Sequence, residues 1–155
     1  MKRVVLALLA VVVCSSCADG LQFRGDHRLG ITSPRDAQLV GAPFEVRWTM
    51  KGDYAGLFAV FVDRAPMPVG KNLRWVAGGD AGCKRDPRCP DEAYLRDRNV
   101  FVTEGNSITV PLLPRADSGV GDERHDVTVV LLDKTGKRLS EVAWHRGFTS
   151  KRRSS

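Results

Sequence analysis

Apolar and polar positions alternate most clearly in FEVRWTMK, where Phe44, Val46, Trp48 and Met50 take one side and Glu45, Arg47, Thr49 and Lys51 the other. A period of two predicts a strand with one buried face. Gly52-Asp53 breaks it, and LFAVFVD, from Leu57 to Asp63, predicts a second strand. Its nearly continuous apolar character calls for cover on both faces. Pro66 and Pro68 end that strand, and LRWVA around Trp75 predicts a shorter one. VFVTE near Val100 and SITVPLL near Ile108 predict two more, with Glu104-Gly105-Asn106 reading as a hairpin turn between them. HDVTVVLLD sets Val127, Val129 and Leu131 inward, Lys134-Thr135-Gly136-Lys137 turns the chain, and RLSEVAWHRGFT returns with Val142, Trp144 and Phe148 on one face. Leu139 falls out of phase, which predicts a bulge or a strand start before Ser140. Near the beginning, two short apolar pieces flank the turn-forming cluster Ser33-Pro34-Arg35-Asp36. Helical periodicity is confined to a turn or two at Asp91 to Leu95, and there are no internal repeats. About seven to eight short strands joined by Gly, Pro and Asp turns predict an all-β fold, an antiparallel β-sandwich.

The first twenty residues follow a different pattern. Lys2 and Arg3 precede an apolar run from Val4 to Val13, and small residues lead into Cys17. That order is the pattern of a secretory signal, and the run is about half the length a membrane-spanning helix needs. Ser15-Ser16-Cys17 resembles the lipid-accepting site of bacterial lipoproteins, with Cys14 standing where that motif usually has an aliphatic residue. The resemblance implies cleavage before Cys17, lipid on its thiol and attachment to a membrane. Cleavage nearby without lipidation, giving a free secreted protein, is the alternative. The expected organisation is a signal peptide over 1–16, a lipidated cysteine and tether over 17–28, one β-sandwich over 29–149 and a basic tail over 150–155.

Export changes the reading of the cysteines. Cys83 and Cys89 lie in GCKRDPRCP, an irregular loop marked by Pro87 and Pro90. In an oxidising compartment they are expected to form a disulfide with each other. Two cysteines without a neighbouring histidine do not complete a zinc site. Loss of Lys2 and Arg3 with the signal lowers the formal charge from +6 to +4. A mild basic excess suits solubility, or contact with anionic lipid or acidic cell-wall polymer. Nothing in the sequence has the aromatic-basic pattern of a nucleic-acid reader, so none is expected as a partner.

The opening SPRDAQLVGAPFEVRW and the closing HDVTVVLLDKTGKRL resemble the entry strands and final hairpin of immunoglobulin-like and fibronectin type III-like domains of exported bacterial proteins. The resemblance spans Ile31 to about Phe148 and implies an immunoglobulin-like sandwich. It carries no statement about ligand or activity. Cys83 and Cys89 are too close in sequence to form the inter-sheet disulfide of antibody domains.

Candidate chemistry is sparse. The chain has no G-x-S-x-G elbow, H-E-x-x-H pair or phosphate-binding loop. A Ser118-His125-Asp126 grouping fails on geometry, because adjacent side chains of a strand point to opposite faces. No enzymatic activity and no cofactor are expected. DHRLGITSPRDAQLVGAPFEVRW also resembles the opening of small periplasmic copper carriers, with His27 as the candidate ligand. That family usually places such a histidine at the mature N-terminus, and Met-rich or His-x-His sets are missing here. Asp117, Asp122, Glu123 and Asp126 form an acidic loop without EF-hand spacing, best read as solvated charge. Trp48 and Trp144 are in phase with core positions, whereas Trp75 is the tryptophan expected to be exposed. The stretch from Gly78 to Asn99 is long for a sandwich connection, and such loops are often functional. Arg85, Arg88, Tyr94 and Arg96 are its candidate partner-binding residues. The expected function is a lipid-anchored, non-catalytic binding module contacting an envelope protein or cell-wall polymer, with a periplasmic metal-handling protein as the alternative.

Overall fold

A computed structural model describes residues 28–111, 123–139 and 144–150. The signal segment, Cys17, the tether up to His27, Asp117, Ser118, Asp122, Val142 and residues 151–155 of the basic tail lie outside the described residues, as do the side chains of Glu123 and Trp144; Ser150, expected in the tail, ends a strand instead.

The described residues form two sheets. β1 (Leu29–Ser33), β3 (Phe44–Met50) and β6 (Ser107–Val110) make one, in the order β1-β3-β6. β2 (Leu39–Val40), β4 (Leu57–Val62), β5 (Val100–Thr103), β7 (Glu123–Leu132) and β8 (Trp144–Ser150) make the other, in the order β2-β8-β7-β4-β5. The result is a mainly β, sandwich-like fold.

Strand alternation explains the space between the sheets. Phe44, Val46 and Trp48 of β3 meet Phe58, Val60 and Val62 of β4, Val127, Val129 and Leu131 of β7, and Phe148 of β8 in one buried cluster. Glu45, Arg47 and Thr49 face outward, as their period requires. Trp48 is fully buried against Phe58, with ring centroids 5.3 Å apart. The other face of β4 is buried too. Ala59 and Phe61, with Val130 and Leu132 of β7, form a second cluster with Met67, Val76 and Leu95 from the chain between β4 and β5.

Three expectations are corrected. LRWVA is a 3-10 helix, Leu73–Ala77, rather than a strand. Asn72 caps it by accepting the Arg74 N–H at 3.1 Å, and Gly78 ends it at φ 48. Glu104-Gly105-Asn106 is not a hairpin turn, because β5 pairs with β4 while β6 pairs with β3. The segment crosses between sheets, and the Asn106 carbonyl accepts the Trp48 N–H at 3.0 Å. Pairing is not wholly antiparallel either: β2 runs parallel to β8. The cluster Ser33-Pro34-Arg35-Asp36 carries the chain from β1 in one sheet to β2 in the other, so β2 approaches β8 from its own end.

The C-terminal hairpin follows the expectation where it is described, with Phe148 buried, while Val142 and the Trp144 side chain lie outside the described residues. β7 pairs antiparallel with β8 from Glu123–Ser150 to Val129–Trp144. Asp133 organises the turn, its Oδ1 accepting from the N–H groups of Thr135 at 2.8 Å and Lys137 at 3.0 Å and from the Thr135 hydroxyl at 2.6 Å. Arg138 and Leu139 fold back onto the end of β7, and Leu139 is left exposed.

Candidate functional site

The connection between β4 and β5, residues 63–99, folds back over the outer face of the five-stranded sheet. After the 3-10 helix come α1 (Ala81–Arg85) and α2 (Glu92–Arg96). Five-residue helices do not stand alone in water, so caps and packing hold them. Asp80 caps α1, its Oδ1 accepting from the Gly82 and Cys83 N–H groups at 2.9 and 3.1 Å. Asp91 caps α2 through the Tyr94 N–H at 2.8 Å. The expected helical turn at Asp91 to Leu95 is thus present, and α1 is an element the sequence reading missed.

Cys83 and Cys89 are joined by a disulfide, with Cα atoms 5.1 Å apart. Cys83 is buried at the middle of α1. Arg74 reaches across from the 3-10 helix, its guanidinium donating to the carbonyls of Pro87 at 2.8 Å and Asp86 at 3.4 Å. The 3-10 helix and α1 are therefore both tied to the loop of residues 86–89.

Asp80 is the hub. Its Oδ2 accepts the Tyr94 hydroxyl at 3.0 Å and faces the Arg98 guanidinium at 3.4 Å. The Cys83 N–H and the Tyr94 hydroxyl hold its carboxyl below the usual range. Desolvation and the same hydrogen bond push the Tyr94 phenol up. The Arg98 guanidinium lies 3.4 Å above the Tyr94 ring, a cation–π contact.

Of the four residues singled out by sequence, Tyr94 is therefore an internal fastener rather than an open contact. Arg96 pairs with Glu92 one turn earlier at 2.6 Å. Arg88 is exposed beside Asp86 at 3.6 Å. Arg85 and Lys84 are exposed, and no carboxylate among the described residues pairs with either. Trp75, missing from the four, is 40% exposed on the helix that Arg74 ties to the disulfide loop. Its exposure was legible from its flanking arginine and glycines. Trp75 is thus exposed on the same connection as the exposed cations Arg74, Lys84, Arg85 and Arg88 and the exposed carboxylates Asp91, Glu92 and Asp97.

The histidines sort differently from the grouping weighed above. Asp126 faces solvent and pairs with His145 at 3.3 Å, on the face of β7 opposite His125. His125 is buried and meets Asp63 at 2.7 Å and Ser150 at 2.9 Å, residues that no local motif connects to it. Among the described residues, no three His, Cys, Asp or Glu side chains converge as a metal donor set. Comparisons of the chain with protein-family models, with curated proteins and with solved structures find no match.

Proposed function

We propose that this protein is an exported, lipid-anchored immunoglobulin-like module that binds an envelope component through the connection between β4 and β5. The observation that carries the reading is the two-sidedness of that connection. Its inner side is fixed to the sheet by Met67, Val76 and Leu95, and its outer side holds Trp75, Arg74, Lys84, Arg85 and Arg88 in water. Aromatic and arginine side chains held on a rigid support contribute disproportionately to binding, because little conformational freedom remains to be lost. The charges of the connection are mixed, and Lys84 and Arg85, which no described carboxylate pairs, favour a partner that carries acidic groups, either an envelope protein or a cell-wall polymer. The surface itself binds and does not catalyse.

Strand order supports the immunoglobulin-like part. With β1 and β2 taken as two pieces of one entry strand, the first, second and fifth strands face the third, sixth and seventh, the division that such sandwiches use. The fourth, β5, lies beside β4, which favours the fibronectin type III-like variant. The signal pattern and Cys17 support the anchor.

Two measurements test the proposal. Intact mass spectrometry of the protein from membrane and soluble fractions is expected to give a chain beginning at acylated Cys17; an unacylated chain cut elsewhere refutes the anchor. Sedimentation of the purified protein with isolated cell envelopes is expected to weaken at least about tenfold in Trp75→Ala combined with Arg85→Glu, the loss of one to two central contacts. Unchanged sedimentation refutes the surface.

A further inference from the structure

His125, on the inter-sheet side of β7 in line with Val127 and Val129, is 3% exposed. A buried imidazole needs partners for both ring nitrogens, and the described residues supply one to each. Nδ1 lies 2.7 Å from Asp63 Oδ2, and Nε2 lies 2.9 Å from Ser150 Oγ. Asp63 is the residue after β4 and stands at φ 53, a left-handed conformation that aspartate tolerates better than most residues. That kink returns its carboxylate to β7, where Oδ1 accepts the Asp126 N–H at 2.9 Å while the Asp63 N–H donates to the Asp126 carbonyl at 2.9 Å. Ser150 ends β8 on the same face as Phe148, whose ring lies 5.5 Å from the imidazole.

Donor and acceptor roles follow from the chemistry. An ionised carboxylate only accepts, so the proton of a neutral imidazole sits on Nδ1. Nε2 is then an acceptor, and the Ser150 hydroxyl donates to it. The hydroxyl proton is committed to a base whose orientation a carboxylate fixes, which is the order of groups that activates nucleophilic serines. Ser150 is only half-buried, and the Asp63 side chain is 30% exposed, so the relay is covered at the histidine and open at its ends.

We propose that Ser150 is a nucleophile toward small carboxylic esters, with His125 as its general base and Asp63 as the group that positions the base. Ser150 Oγ attacks the carbonyl carbon as its proton passes to Nε2. The bond from that carbon to the alkoxy oxygen then breaks, and the leaving oxygen takes the proton from His125. Alcohol and acyl-Ser150 result. Water, giving its proton to Nε2, attacks the acyl carbon and releases the carboxylic acid as the serine oxygen recovers a proton. This reactivity goes beyond the binding function and occupies the opposite face of the sheet from the connection that carries Trp75.

The test is acylation of the full mature chain by p-nitrophenyl acetate, followed by intact mass and peptide mapping. One acetyl group on Ser150 is expected, absent in Ser150→Ala and formed at least about 10²-fold more slowly in Asp63→Asn. No acetyl on Ser150 together with no p-nitrophenolate release above that of Ser150→Ala, or equal rates in wild type and Asp63→Asn, overturns the proposal and leaves the three residues as a fastener of strand ends. Because Asp63→Asn risks unfolding, Ser150→Cys supplies a second readout with the His–Asp pair intact. Its thiol is expected to react with iodoacetamide faster than a cysteine at exposed Thr109, and equal rates also overturn the proposal.

Discussion

Removing the disulfide with Cys83→Ala and Cys89→Ala tests whether the connection over the sheet folds as one unit with the sandwich. The two cysteines are separated by 6 positions, so the bridge closes a small loop. Loop-closure entropy for that length gives a loss of about 2 kcal/mol, relative to the same chain with the loop open when unfolded. Arg74 and Asp80 still hold both sides of the loop in the variant, so the native fold is expected to persist. With a urea dependence of about 2 kcal/mol per molar for a domain of this size, the midpoint is expected to fall by about 1 M. Tryptophan fluorescence reports it, since Trp48 is buried between the sheets and Trp75 lies on the connection. A Trp75→Phe background leaves only Trp48 and Trp144, both on strands of the sandwich, and so separates the connection's signal from theirs. Coincident transitions that both shift confirm cooperative unfolding. An unchanged midpoint refutes the entropic reasoning, and a shift confined to the Trp75 signal refutes the claim that the second cluster couples connection to sheet.

Leu95→Ala removes the most buried α2 side chain from that cluster and is expected to cost about 2–5 kcal/mol by urea unfolding, while a solvent-side change such as Arg96→Ala costs under about 0.5 kcal/mol. Gly56→Ala is expected to destabilise by about 3 kcal/mol or more in the same assay, because an added Cβ overlaps the Leu132 carbonyl and the Tyr54 ring. Acid is expected to weaken the fold at three places. Asp80, Asp133 and Glu45 titrate below their ordinary values of 3.8, 3.8 and 4.5, held there chiefly by the Cys83 N–H, the Thr135 hydroxyl and the Ser107 hydroxyl respectively. A lowered carboxyl contributes stability that is complete above its unfolded value and is lost as pH falls through its folded one. Thermal midpoints are therefore expected to change little from these groups above about pH 5 and to fall below it. Asp133→Asn is expected to flatten that fall, and an equal slope in the variant refutes the assignment.

How much was legible in the chain depends on how many faces each segment buries. β3 was readable because it buries one face, so Phe44, Val46 and Trp48 stand out against Glu45, Arg47 and Thr49. The run Leu57 to Val62 announced cover on both faces, but not what supplies it. Met67, Val76 and Leu95 are isolated apolar residues in a polar stretch, too widely spaced to show a period. The caps were present as Asn72, Asp80 and Asp91, each one position before a helical turn, and they were the signal available for α1 and for the 3-10 helix. The turn at Glu104-Gly105-Asn106 misled because turn chemistry specifies a reversal and not the sheet in which the next strand lands. The grouping of Asp63, His125 and Ser150 was invisible for a similar reason. It depends on a left-handed residue after β4 and on the register of β7 with β8, and neither is encoded locally.

The alternation of β7 separates the proposed binding surface from the proposed nucleophilic serine within one small domain. It sends His125, Val127, Val129 and Leu131 to the space between the sheets, and Val130 and Leu132 to the floor beneath the connection. Neighbouring residues on this strand therefore serve opposite faces, and a volume change on one face is screened from the other by the hydrogen-bonded backbone of β4, β7 and β8. Leu95→Ala should loosen the surface around Trp75 and leave acylation of Ser150 at its wild-type rate. Asp63→Asn should slow acylation and leave envelope binding intact. The weak point of that separation is Asp63 itself, since the chain leaves it directly for Arg64, whose guanidinium donates to the Arg98 carbonyl at 3.1 Å beside α2. If Asp63→Asn weakened binding as well, the strand end would be a lever joining the two faces, and the sheet would no longer count as a partition.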